Sequence, residues 1–111
     1  MLSIIKQTDN NIKLTFKEDG VPINITGYEI LFTVKKQEEI EKDDGVAVIL
    51  KDITSHSNPT QGETELILTN EDTNIDAGEY YYDIRLIKDG KISQTSKDEL
   101  EIIESVTKRI E

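Results

Sequence analysis

The chain has 111 residues, 23 Asp and Glu against 13 Lys and Arg, a formal net charge of −10, one histidine and no cysteine. That length fits one domain spanning 1–111, and the missing cysteine excludes disulfides, thiolate metal sites and thiol catalysis, as suits a reducing compartment. The charge opposes nucleic acid, where each phosphate contact needs a Lys or Arg, and anionic membrane surfaces, while keeping an exposed β protein soluble.

At the amino terminus "MLSIIKQTDN" carries an apolar patch without the long apolar region or cleavage site of a secretory leader. No apolar run approaches the roughly 20 residues of a membrane helix. Without a leader, the acceptor triplet beginning at Asn24 is discounted as a glycosylation site.

Alternation then dominates. Ile12, Leu14 and Phe16 lie two apart, as do Val21, Ile23 and Ile25, and the parity flips across Asp19-Gly20. A two-residue turn explains the flip. It sets Glu18 opposite Val21, Phe16 opposite Ile23 and Leu14 opposite Ile25, with Pro22 at a strand start or edge. "YEILFTVKK" puts Tyr28, Ile30, Phe32 and Val34 on one face. "QEEIEKDDG" is a charged connection with room for a helical turn. "VAVILKDI" is nearly continuous in apolar residues and suits a strand buried on both faces or at its centre.

After the polar loop "TSHSNPTQG", the stretch "ETELILT" aligns Thr64, Leu66 and Leu68. In "NEDTNIDAG", Thr69 or Asn70 is a candidate cap for one helical turn, with Ile75 packing inward. "EYYYDIRLI" then sets Tyr80, Tyr82, Ile84 and Leu86 on the inner face and Tyr81 on the outer. A stacking platform for bases needs exposed aromatics backed by Lys or Arg. Here the outward neighbours are Glu79, Asp83 and Arg85, so the tyrosine run is mainly core. Asp89-Gly90 marks a second hairpin. A three-residue loop pairing Leu86 with Ile92 is favoured over a two-residue loop pairing Ile87 with Ile92. "ELEIIESV" supplies the last strand after a break at "SKD". The sum is about seven strands in an antiparallel sandwich with one core.

"DAGEYYY" has the form Asp-x-Gly-x-Tyr-x-Tyr, and in this it resembles immunoglobulin-like domains. That resemblance implies that Tyr80 is the corner tyrosine, whose hydroxyl bonds backbone a few residues upstream. It also implies that Tyr82 fills the place of a cysteine and that Gly78 relieves the turn above Asp76. More widely, Gly20 with Pro22, "NITG" ending at Gly27, and Gly78, Tyr80, Tyr82 and Asp83 resemble the amino-terminal domain of phage baseplate upper proteins. The likeness spans nearly the whole chain. It implies an all-β, antiparallel immunoglobulin-like β-sandwich with a non-enzymatic role in a phage or prophage tail or baseplate. The location would be the virion, or the host cytoplasm before assembly, and the partners other phage structural proteins.

The residues offer no competing chemistry. His56 is a lone loop histidine flanked by Ser55 and Ser57, with no partner to form a triad, and reads as a solvated side chain. One His without Cys cannot assemble a histidine-based zinc site. "EKDDG" and "TNEDTNID" carry oxygen ligands around Asp43 and Asp72 but lack EF-hand spacing, and read as solvated loops rather than calcium sites. No catalytic residue, cofactor, metal or small-molecule substrate is expected, and no nucleic-acid or membrane partner. An alternative is a carbohydrate-binding or adhesive sandwich on a bacterial surface. The segment around Ile49 and the last strand with Ile103 are expected to face outward from exposed edges. Weak self-association, through the last strand more than the first hairpin, is expected to form closed homo-oligomers.

Overall fold

The computed structural model describes residues 1–107. The alternating segments form ten strands: β1 (Leu2–Ile5), β2 (Asn10–Thr15), β3 (Lys17–Glu18), β4 (Val21–Pro22), β5 (Glu29–Lys35), β6 (Ile49–Ile53), β7 (Glu63–Leu68), β8 (Gly78–Lys88), β9 (Lys91–Gln94) and β10 (Asp98–Ile103). Single 3-10 turns occupy Gln37–Glu39, Asp44–Val46 and Pro59–Gln61. The large sheet runs β1-β10-β8-β5-β6, with β9 also on β8, while β2 and β7 make a two-stranded sheet and β3 and β4 a short hairpin.

The architecture is all-β but not purely antiparallel. β1 lies parallel to β10, with Leu2 opposite Leu100 and Ile5 opposite Ile103. The patch at the amino terminus is therefore a strand, which the sequence reading did not assign. β10 consequently has neighbours on both sides, β1 and β8, and is not the open edge expected of the last strand. Among the described residues the edges of the large sheet are β1, β6 and β9, which pairs only with β8. β6 is an edge, as expected, but its apolar run is not buried on both faces: it has one outward face, where Leu50 is 49% exposed.

Inward residues of both sheets form one apolar cluster. Ile30, Phe32 and Val34 on β5, Ile84 and Leu86 on β8, and Leu100 and Ile102 on β10 meet Leu66 and Leu68 of β7. Fully burying each such side chain stabilises by about 1.5–3 kcal/mol, an upper estimate because the unfolded chain already buries part of it. Ile4 of β1 and Ile25 join the cluster, and Tyr82 packs against it with its ring 5.3 Å from that of Phe32.

Both hairpins turn in two residues. Asp19 and Gly20 have φ of 52° and 79°, and Asp89 and Gly90 have 51° and 79°, the left-handed pair of a type I′ turn. The first register is as expected, Glu18 opposite Val21 and Lys17 opposite Pro22. Pro22 sits where its missing N–H faces away from the partner. Ile23 N–H still reaches Phe16 C=O at 3.0 Å, but the pairing ends there. Leu14 lies opposite Thr64 rather than Ile25, whose N–H goes to Pro59 C=O. The second hairpin corrects the expected three-residue loop: Ile87 faces Ile92 and Leu86 faces Ser93. β9 is exposed along its length, so no burial rewards the alternative register and the turn decides.

Candidate protein-protein interface

Tyr80 enters β8 buried, and its hydroxyl donates to the Asp76 carbonyl at 2.6 Å, the bond expected of a corner tyrosine. Burial first, and then the Asp76 carboxylate, push its phenol pKa up. Gly78 below it has φ of 142° and Gly27 has 79°, conformations that side chains rarely adopt. Tyr82 approaches Asp98 at 3.5 Å. Gly20, Gly27, Asp76, Gly78, Tyr80 and Tyr82 thus sit at turns or in core positions.

Three features were not visible as such in the sequence. Gly62, at φ 71°, is buried beside Phe16, the residue between β2 and β3: Phe16 N–H donates to Gly62 C=O at 2.9 Å, and its own C=O accepts from Ile23 N–H. His56 is not a solvated side chain. Its Nε2 lies 2.7 Å from the Tyr28 carbonyl and its Nδ1 2.9 Å from Thr64 Oγ1. The carbonyl only accepts, so Nε2 carries a proton and donates to it, while Nδ1 pairs with the hydroxyl of the fully buried Thr64. Thr73, also buried, donates to the Thr8 carbonyl at 2.8 Å and accepts from Thr8 N–H at 2.9 Å. It ties the turn after β1 to the one after β7.

The acidic loops are engaged internally. Thr69 and Asp72 cap each other: Asp72 Oδ2 accepts from Thr69 N–H at 2.8 Å, and Thr69 Oγ1 accepts from Asp72 N–H at 3.2 Å. Lys51 Nζ meets the same carboxylate at 2.6 Å. Burial raises the Asp72 pKa, but the bonds from Lys51 and Thr69 outweigh it and hold the carboxyl below its ordinary range. Asp43 accepts from Gly45 N–H, and Asp44 pairs with Lys35 at 2.9 Å. No cluster of three or more His, Asp or Glu is placed to hold a metal ion among the described residues.

What the surface offers is contact area. On the outer face of the large sheet the 36–47 connection folds over Leu31, Thr33, Tyr81, Asp83 and Arg85, leaving a groove of about 300 Å³. Arg85 bonds Gln94 Oε1 through Nε and Nη2 at 3.0 and 2.8 Å, Gln94 Nε2 donates to Asp83 at 2.5 Å, and Lys97 lies 4.7 Å from the Tyr81 ring centre. Lys35 and Asp44, the ion pair noted above, line the same groove. At one end of the sheet Ile5 and Ile103, opposite each other, are 50% and 42% exposed. Ile103 therefore faces outward as expected. Ile49 does not: it is 4% exposed and packs in the core, and Leu50 takes the outward position.

The family model of the BppU N-terminal domain, from the phage baseplate upper protein, matches residues 4–105. The chain belongs to this family. No curated protein matches it. The matched span runs from β1 into the residues after β10 and includes every turn glycine, the tyrosine pair and the His56 bridge. Membership supports a phage baseplate structural component whose partners are other phage structural proteins.

Proposed function

We propose that the chain is a non-enzymatic assembly domain of a phage or prophage particle, an immunoglobulin-like β-sandwich that acts through protein-protein contacts in the baseplate or tail. The family match over 4–105 is the observation that carries this reading. The corner bond of Tyr80 and the order β10-β8-β5-β6 facing β2-β7 support the immunoglobulin-like assignment. The particle is the working location, with the host cytoplasm occupied before assembly. Mass spectrometry of particles purified through a density gradient tests it. Peptides of this chain at a fixed ratio to other tail proteins are expected, whereas recovery only in the unassembled lysate fraction would sink the reading.

A second reading, a saccharide-binding module, is favoured by one observation: Tyr81 lies in the groove beside the Arg85, Gln94 and Asp83 chain of hydrogen bonds. Titration with oligosaccharides of the host surface discriminates, because binding lost in Tyr81→Ala is required by that reading and not by the first.

A further inference from the structure

The two-stranded sheet is open beside β7. Phe16 N–H bonds Gly62 C=O, which fixes the phase of the antiparallel ladder: Thr64, Leu66 and Leu68 exchange bonds with β2, and Glu63, Glu65 and Ile67 turn their N–H and C=O groups the other way. Glu63 bears this out, since both its backbone groups bond Asn58, at 3.0 and 3.1 Å. Past Glu63 no strand pairs with that edge among the described residues. Beside it runs a groove of about 310 Å³ between β7 and β6, an open edge of the large sheet. Lys51, Asp52, Ile53, Glu65, Leu66 and Ile67 line it. Leu66 belongs to the core and half-buried Ile53 packs against it, while Ile67 is 53% exposed.

We propose that the Glu65–Ile67 edge accepts an extended segment of a neighbouring protein as an added strand, with Lys or Arg opposite Glu65 and an apolar side chain opposite Leu66. This rests on the assembly reading and names the partner's chemistry. Backbone groups of Glu65 and Ile67 supply the hydrogen bonds of strand addition, and alternate side chains supply selectivity. The inward side chain of the added strand covers Leu66 and Ile53. The outward ones meet Glu65 and, across the groove, Asp52, which already shares a carboxyl-carboxyl contact with Glu29. A basic segment relieves that like-charge contact. A second copy of this chain brings a net charge of −10 and its own Glu65 to the same place, which opposes pairing with itself.

Hydrogen exchange of the whole chain tests this, with a capped peptide of alternating Lys and Val as probe and a Glu and Val peptide as control. In the free protein the Glu65 and Ile67 amides exchange at least about a hundredfold faster than those of Leu66 and Leu68. The Lys-Val peptide slows both by about tenfold or more, and the Glu-Val peptide does not. Ile67→Pro removes an N–H that β2 does not use, so the fold persists and the protection is lost. Asn11→Pro, which blocks the far edge of β2, binds as the parent does. Should Ile67→Pro fail to fold, Glu65→Lys keeps every backbone group and shifts preference toward the Glu-Val peptide. Slow exchange at Glu65 and Ile67 in the free protein, equal binding by Ile67→Pro, or no binding of the Lys-Val peptide overturns the proposal. Protection that grows with protein concentration alone makes a second copy the occupant and overturns the partner assignment. If these results fail while the chain is still found in purified particles, strand addition falls and the assembly reading stands.

Discussion

Tyr80 and the carbonyl it bonds are four residues apart, so their relation is local and the spacing of "DAGEYYY" exposes it. Tyr80→Phe keeps the ring and removes the bond, leaving the Asp76 carbonyl without it; the expected loss is about 1–2 kcal/mol in denaturant melts. Tyr81→Phe, on the outer face, should be near neutral, and equal losses would contradict the assignment of faces. Gly62 is the opposite case. Its neighbours Phe16 and Ile23 are distant in sequence, so nothing near "PTQGE" signals it. An added Cβ would overlap the Phe16 carbonyl and lie 2.8 Å from that of Ile23. Gly62→Ala should therefore cost about 3 kcal/mol or prevent folding, whereas Gly20→Ala, with open space and only its φ against it, should cost about 1 kcal/mol. Asp72 gives a pH signature. Because its folded pKa is depressed, its contribution is complete above the unfolded value near 4 and disappears as pH falls through the lower folded value. Asp72→Asn should cost roughly 0.5–1 kcal/mol at pH 7, and melts below about pH 4 should show the difference closing.

Element by element, what the sequence revealed follows the range of the interactions. β5, β7 and β8 were legible because each buries one face and alternates accordingly. The first hairpin was legible because turn residues and apolar parity agree. β9 was not, since an exposed strand carries no burial pattern to set its register. β1 was missed for two reasons. Ile4 and Ile5 adjoin, which blurs the alternation, and its partner β10 lies at the far end of the chain, beyond any local signal. Its docking has a direct check. Ile4 is buried against the core, so Ile4→Ala should cost about 2–4 kcal/mol, while Ile5→Ala at its exposed neighbour should stay within about 0.5 kcal/mol. Equal small losses in thermal or denaturant melts would mean that β1 does not hold the sheet.

For the molecule as a whole, net charge and open edges act against each other. A charge of −10 repels copies of the chain, while the Ile5 and Ile103 pair and the free edges offer contact. Self-association should therefore be weak at low salt and strengthen as salt screens the repulsion, and Ile103→Lys should suppress it. Sedimentation over a hundredfold concentration range at two salt concentrations reads this out, and a tight, salt-independent dimer would contradict it. The family was legible because its marks are turn glycines and a tyrosine pair that stand in sequence order. The contact surface was not, because edges exist only once strands from both ends of the chain have paired. A reconstruction of the purified particle by electron microscopy tests the central claim most directly. The account predicts density for this β domain at symmetry-related positions in the baseplate or tail, touching neighbouring proteins; a complete reconstruction with every density assigned to other chains would contradict it.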